Sequence, residues 1–152
     1  MKQLSAFSFQ LVAEQNEEKP FKGFEMAQDA RDLIVWQRAI QLTVGIYTLT
    51  RSFPKDEVYG LTSQMRRASV SVASNIAEGR GRLNPAEFRQ FLGIAQGSIF
   101  ELKTQLVVAR QLEMGEGKAL DKAENLSEEV SKMLGSFIEK LGIATKKLKA
   151  ES

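Results

Sequence analysis

Residues 84–109 read NPAEFRQFLGIAQGSIFELKTQLVVA, and this stretch decides the fold. It begins with Asn84 as a candidate N-cap, Pro85 at the first helical position and Glu87 three residues after the cap, a combination typical of a helix start. Apolar residues then recur at steps of three and four, as on one face of a helix: Phe88, Phe91, Leu92, Ala95, Ile99, Leu102, Leu106 and Ala109. The spacing predicts a long amphipathic helix that packs against other helices in a bundle.

The same periodicity predicts two helices before this one. The first spans residues 32–52, with Asp32 as its N-cap. The second spans residues 57–78 and ends at Gly79 and Gly81, because glycine tolerates the left-handed backbone conformation that follows many helices. Amphipathic segments of this kind in succession favour an all-helical fold.

A fourth helix is predicted over residues 119–149, after a glycine-containing break at residues 114–117. No segment alternates between apolar and polar residues for long, so no β-strand is predicted. Short connections place successive helices antiparallel. We therefore predict an all-α, up-down-up-down antiparallel four-helix bundle over residues 31–150, preceded by a flexible N-terminal arm at residues 1–30.

The first helix is apolar on two flanks. We assign the core to the flank on which apolar residues recur at steps of three and four: Leu33, Trp36, Ile40, Val44 and Tyr47. The second flank is also aliphatic: Ile34, Val35, Leu42, Ile46 and Leu49. A helix that is apolar nearly all round is buried on more than one side, so we expect the second flank to meet another subunit.

The chain has 152 residues, no cysteine and no histidine. Disulfides and thiolate metal sites are therefore excluded, and so is any mechanism that needs a histidine base. Di-iron bundles take ligands from Glu-x-x-His pairs, so we predict no metal, no cofactor and no enzymatic activity. No apolar run approaches the ~20 residues of a membrane helix, and a cytoplasmic location is expected.

Polar residues interrupt the predicted seams of the second and third helices. Asn75 and Glu78 lie on the second helix, and Ser98 and Glu101 lie on the third. Buried polar groups cost free energy unless they are hydrogen-bonded. Two interpretations are open. One is a hydrogen-bonded lock between the helices, in which Arg67 or Asn75 bonds to Glu101; the other is a groove that binds a ligand or partner.

Arginines concentrate in the middle of the chain. Residues 60–110 carry seven cations and three anions, whereas residues 111–139 carry three cations and seven anions. Arginine pairs with phosphate through two hydrogen bonds and is weakly hydrated. We predict a nucleic-acid-binding surface made of five arginines: Arg66, Arg67, Arg80, Arg82 and Arg89. The alternative is a set of ordinary solvated cations that compensate helix dipoles.

Four blocks of sequence resemble a known bacterial family in order and spacing. The blocks are residues 32–39 (DLIVWQRA), 65–68 (MRRA), 74–82 (SNIAEGRGR) and 95–102 (AQGSIFEL), and the family is the 23S rRNA-intervening sequence proteins. The resemblance implies a four-helix bundle that assembles into a homopentamer. The chain is also similar to the accessory variability protein of diversity-generating retroelements, which implies a basic barrel that binds a reverse transcriptase and nucleic acid. The net charge of +2 is milder than in those retroelement relatives.

Two functions are compatible with the sequence. The first is a non-enzymatic homo-oligomer that binds RNA or DNA, or a ribonucleoprotein such as a reverse transcriptase complex, through its arginines. Such binding weakens steeply with salt, because released counterions drive it. The alternative is a structural adaptor for a protein partner, which would use the second flank of the first helix and the acidic start of the fourth.

Overall fold

The computed structural model describes residue 30 and residues 33–152. Asp32 and nearly all of the predicted N-terminal arm therefore lie outside the described residues. Within them, every regular element is helical and no strand occurs, so the predicted all-α fold is confirmed. No helix of the described part of the chain combines the length and the apolar character that crossing a membrane requires.

Four helices form the bundle. They are α1 (Ile34–Thr50), α2 (Leu61–Arg80), α3 (Pro85–Gln111) and α4 (Gly117–Glu151), with a short 3-10 turn at Lys55–Glu57. Each helix packs against the next one along the chain, and α4 packs against α1. As a result, α1 and α3 lie diagonally opposite each other in the bundle.

Local capping explains where these helices begin. The Asn84 side chain accepts a hydrogen bond from the Glu87 backbone N–H at 2.9 Å, which confirms the predicted start of α3. Helix α2 starts later than predicted, because the Glu57 carboxylate accepts from the Leu61 N–H at 3.0 Å and so closes the 3-10 turn onto the helix. The Glu116 carboxylate likewise accepts from the first backbone N–H groups of α4.

The predicted role of the two glycines at the end of α2 is wrong. Gly81 has φ of −75°, in the right-handed region, and Gly79 is buried inside the helix. A Cβ at Gly79 would lie 2.6 Å from the Phe91 Cβ and 2.9 Å from the Phe88 ring. Gly79 is therefore required for the close approach of α2 and α3. The left-handed glycine is Gly115, with φ of +87°, in the α3–α4 loop.

The seam of α3 is confirmed, with every predicted position buried except Phe91, which is half-buried. The seam predicted for α1 is wrong, because Val44 is 60% exposed and the opposite flank fills the core. The buried residues recur at steps of four and three: Val35, Ala39, Leu42, Ile46 and Leu49. This is a regular seam in which the small Ala39 lets neighbouring helices approach. The aromatic flank instead lies at the edge of the core, where Trp36 and Ile40 are half-buried.

Candidate functional site

A groove between α1 and α2 contains two of the five predicted arginines. It encloses about 640 Å³ near the end of the bundle where α1 stops and α2 starts. Its lining combines cations, hydroxyls and apolar side chains: Tyr47, Val58, Thr62, Ser63, Arg66, Arg67, Val70 and Ser71. We call this surface the basic groove.

Arg66 is held in a fixed orientation in the basic groove. Its Nε donates a hydrogen bond of 2.9 Å to the Thr50 hydroxyl oxygen, and that hydroxyl donates to the Ile46 carbonyl oxygen at 2.7 Å. The guanidinium carbon lies 4.5 Å from the centre of the Tyr47 ring, a distance at which a cation is attracted to the aromatic face. A half-buried guanidinium held in this way is pre-organised for a ligand.

Arg67 is exposed, and among the described residues no hydrogen bond or ion pair engages it. It follows Ser63 by four residues, as Arg66 follows Thr62, so each cation stands beside a hydroxyl on one face of α2. Thr62 is 5% exposed, and its hydroxyl has no hydrogen-bond partner within the described part of the chain. The groove thus carries one unengaged cation and one unsatisfied buried hydroxyl.

The other three predicted arginines lie at the opposite end of α2. Arg66 and Arg80 are fourteen residues apart on one helix, which separates them by about 21 Å along its axis. Arg82 bonds to Glu78 at 2.9 Å and lies 4.5 Å from the centre of the Phe91 ring. Arg80 lies over the Phe88 ring, and Arg89 donates to the Ile138 carbonyl oxygen at 3.2 Å. The five arginines therefore form two groups, and the second group already contacts the protein.

The four residues of the predicted polar cluster also fall into two groups in the structure. Asn75 donates to the Ser71 carbonyl oxygen at 2.8 Å and to its hydroxyl at 3.1 Å, and that hydroxyl lies 2.9 Å from the Ser98 hydroxyl. Asn75 and Ser98 therefore meet through Ser71, across the α2–α3 contact. Glu78 and Glu101 are exposed and lie outside this network: Glu78 pairs with Arg82, and Glu101 accepts from Gln105.

The basic and acidic halves of the chain pair with each other across α3 and α4. Arg110 bonds to Glu124 at 2.8 Å and to Asp121 at 2.6 Å, and these hydrogen bonds raise the pKa of Arg110. Lys103 pairs with Glu128, and its hydrogen bond lowers the pKa of that carboxyl. Part of the charge asymmetry seen in the sequence is therefore neutralised within the chain.

The sequence reasoning did not identify the two tyrosines as parts of this site. Tyr47 was assigned to the core but is 39% exposed, and Tyr59 is 95% exposed in the loop before α2. They are the only tyrosines in the chain, and both lie at the end of the bundle that carries Arg66 and Arg67. Two aromatic side chains near paired cations would have been a usable signal.

The outer face of α3 is apolar and uncovered. Its exposed large side chains are Ile94, Phe100, Val107 and Val108. On the same face, a Cβ added at Gly93 or Gly97 would have no atom of the described structure within 4 Å. Glycine inside a helix costs about 0.5–1 kcal/mol relative to alanine, and no contact in the described structure requires either glycine.

The fold and these surfaces define a small helical bundle with candidate binding faces. Among the described residues, no three acidic side chains are grouped as metal ligands would be. A sequence model described as 23S rRNA-intervening sequence protein matches residues 31–136, so the chain belongs to that family.

The fold is also found in a solved structure. A crystal structure of a protein with unknown function from the S23 ribosomal protein family of Bacteroides thetaiotaomicron superposes with a TM-score of 0.61. The two sequences are 23% identical, and the alignment covers 69% of this chain and 98% of the other. This likeness extends to the fold alone. No curated protein matches the sequence.

Proposed function

We propose that this protein is a non-enzymatic, self-associating helical bundle that binds nucleic acid through the basic groove. The observation that carries the proposal is the pair Arg66 and Arg67, of which one is pre-oriented and the other is unengaged. Arginine contacts phosphate through a planar fork of donors. Membership of the 23S rRNA-intervening sequence protein family is compatible with an RNA ligand but names none.

The surroundings of the groove favour an anionic ligand. Arg51 and Lys55 are exposed at the same end of the bundle. Of the two nearby carboxylates, Glu57 caps the first turn of α2 and so is already engaged. Ser63 adds a hydroxyl donor beside the two guanidinium groups. Cations and neutral donors on one concave surface match a phosphodiester backbone.

Self-association is supported by two separate apolar faces. One is the outer flank of α1, with Val44 exposed beside the half-buried Ile40, and the other is the outer face of α3, with Phe100 and Ile94 exposed. Because α1 and α3 stand diagonally opposite, the two faces lie on different sides of the bundle. Contact between unlike faces is head-to-tail, and it closes into a ring when the rotation permits. A homopentamer, as the family resemblance implies, is one such ring.

A ring would also compensate for the modest charge of one subunit. The net charge of the chain is only +2, so one groove is expected to bind weakly. Repeated grooves on one assembly raise the effective concentration of each further contact. Nucleic-acid binding and self-association are therefore expected to depend on each other.

The proposal is tested by titrating labelled RNA and DNA strands, single and duplex, with the purified protein at several salt concentrations. We expect affinity to fall steeply with salt, and Arg66→Ala with Arg67→Ala to weaken binding by about tenfold or more, since a hydrogen bond to a charged group contributes about 1.5–3 kcal/mol. Lys118→Ala with Lys122→Ala removes equal charge elsewhere and is the matched control. Equal losses in both double variants would refute a role for the groove, and no binding by any strand would refute the function.

Light scattering on the same protein tests the assembly. We expect a species larger than one chain, and a folded monomer at high concentration would contradict the proposal. Co-purification of one protein after nuclease treatment, with no binding to nucleic acid, would support the adaptor function instead. A reverse transcriptase captured in that way would be the partner that the retroelement resemblance implies.

A further inference from the structure

Two tyrosines lie at or next to the basic groove: Tyr47 lines it, and Tyr59 directly follows Val58, which also lines it. Tyr59 is 95% exposed, so almost none of its ring is covered by the chain. Tyr47 is partly exposed, and the Arg66 guanidinium lies over its ring. Tyr47 lies in the last turn of α1, and Tyr59 lies in the loop two residues before α2.

We infer that the basic groove selects single-stranded nucleic acid, with an unpaired base stacked on Tyr59 and phosphates on Arg66 and Arg67. This inference rests on the proposed function and names its ligand class. Aromatic platforms combined with a cationic groove are the means by which proteins hold single strands of any sequence. Every base has a face that stacks, so the selection is for unpaired bases and not for a sequence.

A duplex cannot stack its bases on an exposed tyrosine ring of the protein. Its bases are stacked on one another and present only their edges, so a duplex offers the groove its phosphates alone.

The cation over Tyr47 adds a second stacking plane. Guanidinium planes stack on bases as aromatic rings do, and the hydrogen bond from Arg66 to Thr50 keeps this plane in place. No comparable hydrogen bond holds Tyr59 among the described residues, and its ring has the most exposed surface for a ligand to cover. The largest stacking contribution is therefore assigned to Tyr59.

The experiment compares a fluorescent single strand of mixed sequence, roughly 12 nucleotides long, with its own duplex at one salt concentration. We expect the single strand to bind at least tenfold more tightly than the duplex. Loss of one stacked base is worth roughly 1–3 kcal/mol, so we expect Tyr59→Ala to weaken single-strand binding about 5- to 150-fold. Tyr59→Phe keeps the ring and should retain wild-type affinity, and duplex binding should be unchanged in both variants.

Leu83→Ala is the matched control, since Leu83 is a large exposed side chain at the other end of α2. It should leave both affinities unchanged. Equal affinity for single strand and duplex, or an equal loss for both in Tyr59→Ala, would overturn the inference while the proposed function stands. If neither the single strand nor the duplex binds, both the inference and the proposed function are refuted. Truncation of Tyr59 removes no buried contact, so misfolding does not obscure the result.

Discussion

The two ends of α2 carry the same residue type in different surroundings. At the C-terminal end, Arg82 contacts Glu78 and the Phe91 ring, and Gly79 brings α3 close. At the N-terminal end, Arg67 is unengaged, and Arg66 is fixed without losing its access to the groove. An arginine-rich sequence is therefore not one surface. We expect the function of each cation to depend on how far the bundle already engages its guanidinium group.

The largest effect is expected from Gly79→Val at the C-terminal end. The new side chain would overlap Phe88 and Phe91, and overpacking of this kind costs about 3 kcal/mol. Gly45→Val is the control, because a Cβ there meets nothing within 4 Å. Urea denaturation measures the free energy of unfolding of both. Similar stabilities for the two variants would show that the close approach of α2 and α3 is not required.

A smaller effect on stability is expected from Thr50→Val, at the end of α1 that lies next to the N-terminal end of α2. The substitution keeps the shape but removes the hydroxyl that accepts from Arg66 and donates to Ile46. Loss of one hydrogen bond costs about 1 kcal/mol of stability. A loosened Arg66 should also weaken nucleic-acid binding about threefold to tenfold. Thr48→Val, at a position two residues earlier on α1, is the control. Unchanged binding in Thr50→Val would mean that the orientation of Arg66 is irrelevant.

Arg82→Ala should affect stability but not binding, which is the reverse of what we expect for the groove arginines. The exposed ion pair with Glu78 contributes little, and the contact with Phe91 adds about 0.5–1 kcal/mol. We therefore expect a loss of about 1 kcal/mol in urea denaturation and less than a twofold change in affinity. A tenfold loss of affinity would place the nucleic-acid surface at both ends of α2.

The smallest effect on stability is expected from the ion pair between Lys103 on α3 and Glu128 on α4, which lies away from both ends of α2. Lys103 lowers the pKa of Glu128 in the folded chain, so the pair stabilises the fold above the unfolded pKa of that carboxyl. This stabilisation is lost as the pH falls through the lower, folded pKa. Stability curves of wild type and Glu128→Gln should differ at neutral pH and converge in acid. Curves that stay parallel would show that the pair contributes nothing.

Local signals allowed most of the fold to be predicted. The start of α3 follows from Asn84 and Pro85, because capping depends on neighbouring residues alone. The seam of α1 was predicted wrongly because both flanks are apolar, and only packing against α2 and α4 decides between them. In the structure the small Ala39 is fully buried in the seam, where it permits close contact between helices.

The candidate site was only partly predictable. The separation of Arg66 from Arg80 follows from helix geometry and could have been read from residue numbers. The bond between Arg66 and Thr50 joins residues sixteen positions apart, and it depends on how α1 and α2 cross. Tyr59 lies in a loop with no periodicity, so its exposure could not be inferred from pattern.

The diagonal placement of α1 and α3 has a consequence for any closed assembly of this chain. Subunits joined by unlike sides all point the same way around the symmetry axis, so the resulting disc has an upper and a lower surface of different chemistry. Every basic groove would then open towards the same surface. Nucleic acid bound as we propose would then contact several grooves from that one surface.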